Sequence, residues 1–231
     1  MAQIVASTGV HAVIIDCERG IISDDGIHNV TAAVTAASVS PLVRLRMTHP
    51  DLIKLALDTG AHGIVLPQVN TAEEAIEVVS YSKLPPQSIR GQGSAFVGFA
   101  HKRDIPTYLK TANETTIVCV QIESRLGVEN SDTICAVPAV GHFQDMVFIG
   151  PNDLAFSVLG YVPAKGDDPD FVDAIAKIVA AARKHGTWVG RLSNTGALCK
   201  QHLDVFDTVA LNYDVRAIQN WYTAELKDAR P

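Results

Sequence analysis

Seven short apolar runs alternate with helical patterns, and this alternation narrows the possible folds more than any other feature of the chain. The runs are AVIID (12–16), PLVRLR (41–46), GIVLPQV (63–69), TIVCVQIE (116–123), MVFI (146–149), TWVGRL (187–192) and TVALN (208–212). Most are apolar on both faces, as strands of a parallel sheet covered by helices must be. Helices are expected over 4–8, 24–37, 50–58, 71–80, 105–112, 127–134, 169–184, 196–205 and 217–227. Their signals are local: Thr71 with Glu74 forms a capping box, Asp168-Pro169 supplies a cap and a first-turn proline, and Gly9, Gly60 and Gly186 mark stops. The segment 84–99, with RGQGSA inside it, reads as a long loop. Polar residues recur at the C-terminal ends of the runs, which favours a closed (β/α) barrel over an open sheet. A barrel of eight would need one more strand before residue 12, where only about ten residues stand. The leading strand is therefore expected to be missing, leaving a gap, a seam filled by a neighbouring subunit, or a short gene model. An open seam exposes unpaired strand edges, so a compensating contact is expected.

Composition sets the remaining bounds. The chain has 231 residues, 47% hydrophobic, which suits one barrel-sized domain over 1–231. A formal net charge of −6, with no run of Lys or Arg, argues against a nucleic-acid surface. No stretch approaches the length of a membrane span, and the N-terminus lacks the basic start and apolar core of a signal peptide. Cys17, Cys119, Cys135 and Cys199 form no C-x-x-C pair, so reduced thiols and a cytoplasmic location are expected.

The densest stretch is MVFIGPNDL (146–154). A buried strand runs into a Gly-Pro turn and then a helix start, which leaves Asp153 at the strand mouth beside free backbone N–H groups. The plain alternative is that Asp153 serves only as a helix cap. In a barrel, Asp16, Glu18, Arg44, Gln121, Glu123 and Asp153 would converge at one mouth. Two acids on separate strand ends suit a hard divalent cation such as Mg²⁺ or Mn²⁺. An arginine beside it suits an anionic substrate that develops an oxyanion. Two structural alternatives stand against this: Glu123 pairing with Arg125, and Arg44 pairing with Asp16 inside the barrel. The histidines make no triad. His28, His101, His185 and His202 read as surface, and His11, His49, His62 and His142 as structural. Gly91-Gln-Gly93 lacks the rest of a dinucleotide fingerprint.

The blocks IIDCERG (14–20), PLVRLR (41–46), GIVLPQV (63–69), KLPPQSIRGQGSA (83–95), VQIESR (120–125) and FIGPNDLA (148–155) resemble, in order, those of the HpcH/HpaI aldolases. These are class II, metal-dependent 2-oxo-acid aldolases, and macrophomate synthase is a relative. The resemblance implies a (β/α)8 TIM barrel of the phosphoenolpyruvate/pyruvate type. It implies Glu123 and Asp153 as ligands of Mg²⁺, Mn²⁺ or Co²⁺, and Arg44 on the pyruvate keto oxygen. Gln121 would lie beside the keto acid, and the N–H groups of Asn152 and Asp153 would take its carboxylate. Asp58 matches an aspartate that partners a catalytic histidine. The resemblance also implies cleavage or formation of 4-hydroxy-2-oxo acids through a pyruvate enolate, with aldehydes as second substrates. Its members are homo-oligomers, dimer-based and hexameric, that exchange the last helix, here 217–227.

The sequence departs from that family where Arg19 replaces the usual histidine. Arginine cannot be deprotonated in a protein, and general acid–base help is typically worth about 10²–10⁴-fold. Aldol chemistry is then slowed, and oxaloacetate decarboxylation, which needs no base, is expected to dominate. Arg19 is expected to pair with Asp58 or to bind a second substrate carboxylate. The alternative is a catalytically silent barrel that binds metal or keto acid without turnover. An acyl-CoA lyase of the citrate-lyase β-subunit type shares the two acids, but no basic cluster for CoA phosphates is visible.

Overall fold

The computed structural model describes residues 1–137 and 145–230; His142 lies outside them. The order is α1 (Ala2–Ala6), β1 (Ala12–Asp16), α2 (Asp24–Ala36), β2 (Ser40–Arg44), α3 (Pro50–Asp58), β3 (Gly63–Leu66) and α4 (Ala72–Ser82). Then come α5 (Phe96–His101), α6 (Ile105–Thr115), β4 (Ile117–Gln121), α7 (Arg125–Glu129), α8 (Ser131–Cys135), β5 (Met146–Ile149) and α9 (Pro151–Leu159). The chain continues through α10 (Pro169–His185), β6 (Trp188–Ser193), α11 (Gly196–His202), β7 (Thr208–Leu211) and α12 (Asp214–Ala229).

The seven strands form one parallel sheet in sequence order, so each βα unit adds one strand beside the last. Alternate side chains separate two cores. Outward ones, among them Val43, Ile64, Val118, Val120, Val147 and Val189, pack under the helices with Ile53, Leu57, Val78 and Ile178. Inward ones, Leu42, Val65, Cys119, Met146, Phe148 and Leu192, pack on one another, with Ile14 of β1 and Ala210 of β7 against them. Side chains from all seven strands can meet only if the sheet curls, so the inner face is that of a barrel. β1 and β7 are the two ends of the sheet among the described residues. Among the described residues this is a TIM-type barrel lacking a strand.

Local chemistry places the ends. Ser23, Thr71, Asp104 and Asp168 each accept a backbone N–H in the first turn of the helix that follows. Glu74 returns a bond to the N–H of Asn70, one residue earlier than an ideal capping box. Gly186 ends α10 with φ +68.

The structure departs from the expected elements in several places; strand β3 stops at Leu66, α6 runs on to Thr115 and α11 stops at His202. A helix, α5, lies inside and just beyond the expected loop 84–99. It has no side-chain cap and ends at Lys102 rather than glycine, so its local signals are weak. What holds it is tertiary: it sits so close to Gly60 that a Cβ there would fall 2.2 Å from Ala100 Cβ. The helix expected over 127–134 is two short helices broken at Asn130. The first helix, α1, is drawn back to Ala2–Ala6. The last helix begins earlier, at Asp214, and Ile218, Trp221, Tyr222 and Leu226 are exposed rather than core.

His101, expected at the surface, is half-buried. At the N-terminal rim its ring lies 4.7 Å from that of His62 and 4.9 Å from that of Tyr108, and its Nε2 is buried without a hydrogen-bond partner. Burial, with the charges of His62 and Arg103, pushes His101 down to about 4, and burial also lowers His62. Between about 4 and 6.5 the unfolded chain therefore binds more protons than the folded one. The stability these rings allow is present above that window and is lost as pH falls through it. Solvent reaches part of both rings, so the expected loss is roughly 2 kcal/mol. Urea midpoints between pH 7 and pH 4.5 check this, and His101→Phe should flatten the dependence.

Candidate active site

The C-terminal ends of the strands carry a continuous polar network. It begins where β1 and β2 pair, with Asp16 directly opposite Arg44. Arg44 Nε and Nη2 donate to the two oxygens of Asp16 at 2.9 and 2.5 Å. The structural alternative for Arg44 is thus realised, and it does not exclude the functional one: the fork holds the guanidinium still and aims Nη1 elsewhere. Nη1 lies 3.0 Å from Glu18 Oε2 and donates to Gln121 Oε1 at 3.4 Å. Gln121 Nε2 in turn donates to Glu123 Oε2 at 3.2 Å. The backbone N–H groups of Glu18 and Arg19 donate to Asp16 Oδ1, which fixes the loop after β1.

Glu123 is 1% exposed. Burial, then the charge of Asp153, pushes its carboxyl up to about 7, against the pull of the Gln68 N–H. That N–H donates to Oε1 at 3.0 Å. Arg125 donates instead to the carbonyl of Val158, so the expected alternative of a Glu123–Arg125 pair is not formed. Gly150 makes room for the carboxylate: a Cβ there would stand 2.0 Å from Glu123 Oε2. Burial also raises Glu18 despite Arg44 and Arg19. Its Oε2 is buried and, although close to Arg44, receives no aligned hydrogen bond. Asp16 is different: burial opposes it, but the hydrogen bond and charge of Arg44 hold it below the usual carboxylate range.

Asp153 is not the cap of α9. Gly150 is, followed by Pro151, so Asn152 and Asp153 fall in the first turn with N–H groups that have no helical acceptor. Asp153 Oδ2 accepts from Arg19 Nη2 at 2.7 Å, and the same nitrogen lies 3.6 Å from Glu18 Oε1. The expected Arg19–Asp58 pair is therefore replaced by Arg19–Asp153. Asp58 ends α3, which runs back from the mouth, so it sits at the opposite rim; it pairs with Lys54. Two contributors are absent from the sequence reading. Gln68 holds φ +56 to aim its N–H, and Tyr213 after β7 lies near Arg44.

The arrangement is rich in oxygen donors and short of positive charge. Asp16, Glu18, Glu123 and Asp153 face Arg19 and Arg44, an excess that matches one divalent cation. Among the described residues no three His, Cys, Asp or Glu form a ready-made cage. The fit is therefore to a hard ion on two carboxylates with water completing its shell. Glu18 Oε2 without a donor and the glycine beside Glu123 favour that fit.

A model of the HpcH/HpaI aldolase/citrate lyase family matches residues 1–216. A hydroxypyruvate/pyruvate aldolase of Roseovarius nubinhibens is 35% identical over 202 residues, 87% of this chain and 76% of that protein. A 2-keto-3-deoxy-L-rhamnonate aldolase of Salmonella gallinarum is 34% identical over 88% of this chain and 74% of its own. Among solved structures, an HpcH/HpaI aldolase/citrate lyase family protein from Burkholderia cenocepacia superposes with a TM-score of 0.87 at 29% identity, covering 100% of this chain and 90% of that one.

Proposed function

The chain belongs to the HpcH/HpaI aldolase/citrate lyase family, and on that premise we propose that it is a divalent-metal-dependent carbon–carbon lyase of small 2-oxo acids. The reaction favoured is decarboxylation of oxaloacetate, with slower cleavage or formation of 4-hydroxy-2-oxo acids from pyruvate and an aldehyde. The observation that carries this reading is Glu123, a carboxylate buried at the barrel mouth beside Asp153 and Arg44 with too little positive charge around it. Glu123 and Asp153 would hold Mg²⁺, Mn²⁺ or Co²⁺. A divalent ion there supplies Lewis acidity toward a keto oxygen.

The chain's own residues do the rest. The N–H groups of Asn152 and Asp153, at the positive end of α9, suit the substrate carboxylate. Arg44, locked by Asp16, presents Nη1 where negative charge grows on the keto oxygen, and Gln121 keeps that nitrogen and Glu123 in register. In oxaloacetate the C3–C4 bond breaks, its electron pair moves toward C2 and the keto oxygen, and CO₂ leaves. Water then returns a proton to C3. Retro-aldol cleavage must first remove the proton of the 4-hydroxyl, and Arg19 cannot accept it. Asp58 could take part only from a second copy of the chain, since its own rim faces away. The expected homo-oligomer would permit that.

Pyruvate release from oxaloacetate and from 4-hydroxy-2-oxo acids, with Mg²⁺, Mn²⁺ or Co²⁺ added, tests the proposal. Turnover above the metal-only rate, faster for oxaloacetate and abolished by chelation, is expected. Binding of the keto acid with no turnover would favour the silent barrel.

A further inference from the structure

Arg19 is the feature of the mouth that the proposed reaction does not use. Its guanidinium has two partners, Asp153 and Glu18, and both are carboxylates of the mouth. Its backbone is tied to Asp16, while its side chain is 54% exposed. The base is therefore fixed and the head is free to move. A half-exposed ion pair is weak. It nevertheless occupies an oxygen of Asp153 that a cation would need.

Resting on the function proposed above, we propose that Arg19 is a tethered cation that holds Asp153 until a divalent ion displaces it. The displaced guanidinium then binds the distal carboxylate of a dicarboxylic 2-oxo acid. Once an ion sits on Asp153, like charge repels Arg19 from it. Glu18 offers little in exchange, because its other oxygen already faces Arg44 at 3.0 Å. Arg46, the neighbouring base at this rim, is engaged with Asp24 at 3.8 Å. The head of Arg19 is left at the open mouth, where its planar fork matches a carboxylate. One residue thus couples the arrival of the cation to the choice of substrate.

Calorimetric titration of the cation-free protein with Mg²⁺, and of the Mg²⁺ form with 2-oxoglutarate or 2-oxopentanoate, separates the outcomes. These two acids differ in the distal carboxylate and are probes of binding. Arg19→Gln should tighten Mg²⁺ binding about fivefold at low salt, with the gain shrinking at high salt. The native protein should prefer 2-oxoglutarate by at least about tenfold, Arg19→Gln should lose that preference, and Arg19→Lys should keep part of it. If the native protein binds Mg²⁺ and 2-oxo acids but Arg19→Gln changes neither the Mg²⁺ affinity nor the preference, the assignment of Arg19 is overturned and the lyase reading stands. If the native protein binds none of Mg²⁺, Mn²⁺ and Co²⁺, both are overturned.

Discussion

Glu123→Gln is expected to lower kcat/KM for pyruvate release by about 10³-fold, close to 4 kcal/mol of transition-state stabilisation, while leaving the cation-free fold intact or more stable. The two effects have one cause. Glu123 is a carboxylate taken out of water and placed near Asp153, an arrangement that burial and like charge both oppose. Glutamine keeps the shape and can still accept the Gln68 N–H, which now meets Oε1 at 3.0 Å; it gives up the bond from Gln121 Nε2 to Oε2, a neutral-group loss smaller than the burial of the charge. It cannot hold a divalent ion as an anion. A site kept for chemistry should therefore gain thermal stability when its charge is erased. Thermal melts in chelator check one half and coupled pyruvate assays the other. A variant that melts lower and keeps activity would mean that Glu123 is structural.

Gly150→Ala should be nearly as damaging without touching any charged group. The added Cβ would stand 2.0 Å from Glu123 Oε2 and 3.4 Å from Gln121 Nε2. Something must move, and what moves is the carboxylate or the start of α9. Overpacking of this kind costs about 1–3 kcal/mol. Displacement of a reacting group by about 1 Å can cost about 10²-fold in rate. The matched control is Gly196→Ala at the start of α11, where a Cβ meets nothing within 4 Å. It should be neutral or slightly stabilising. Melting points and kcat/KM of the two variants give the comparison, and equal behaviour would refute the close approach.

The strands were legible because their pattern is two-sided. MVFI (146–149) and AVIID (12–16) are apolar on both faces, and the structure bounds them at those residues. So was the convergence of Arg44, Gln121, Glu123 and Asp153, since residues at the C-terminal ends of parallel strands share a rim whatever their spacing. What sequence could not carry was set by packing across long separations. Arg19 meets Asp153 from 134 positions away. Nothing in the neighbourhood of either residue favours that partner over Asp58, which helix direction alone carries to the far rim. The signal for Gln68 lies in a backbone angle that a proline-preceded glutamine does not announce. Gly150 was readable as a turn that lets backbone come close to something small; that the close neighbour is the Glu123 carboxylate required the fold. Helix α5 shows the same limit, because a tertiary contact on Gly60 outweighs weak caps.

On the proposed function, Glu123, just after β4, and Asp153, in the first turn of α9, share one cation. Titration of the chain with Mn²⁺, followed by electron paramagnetic resonance of the free ion, measures this without reference to turnover. A single site per chain is expected, weakened at least about tenfold by Glu123→Gln and likewise by Asp153→Asn. Mn²⁺ bound equally well by native protein and both variants would contradict it.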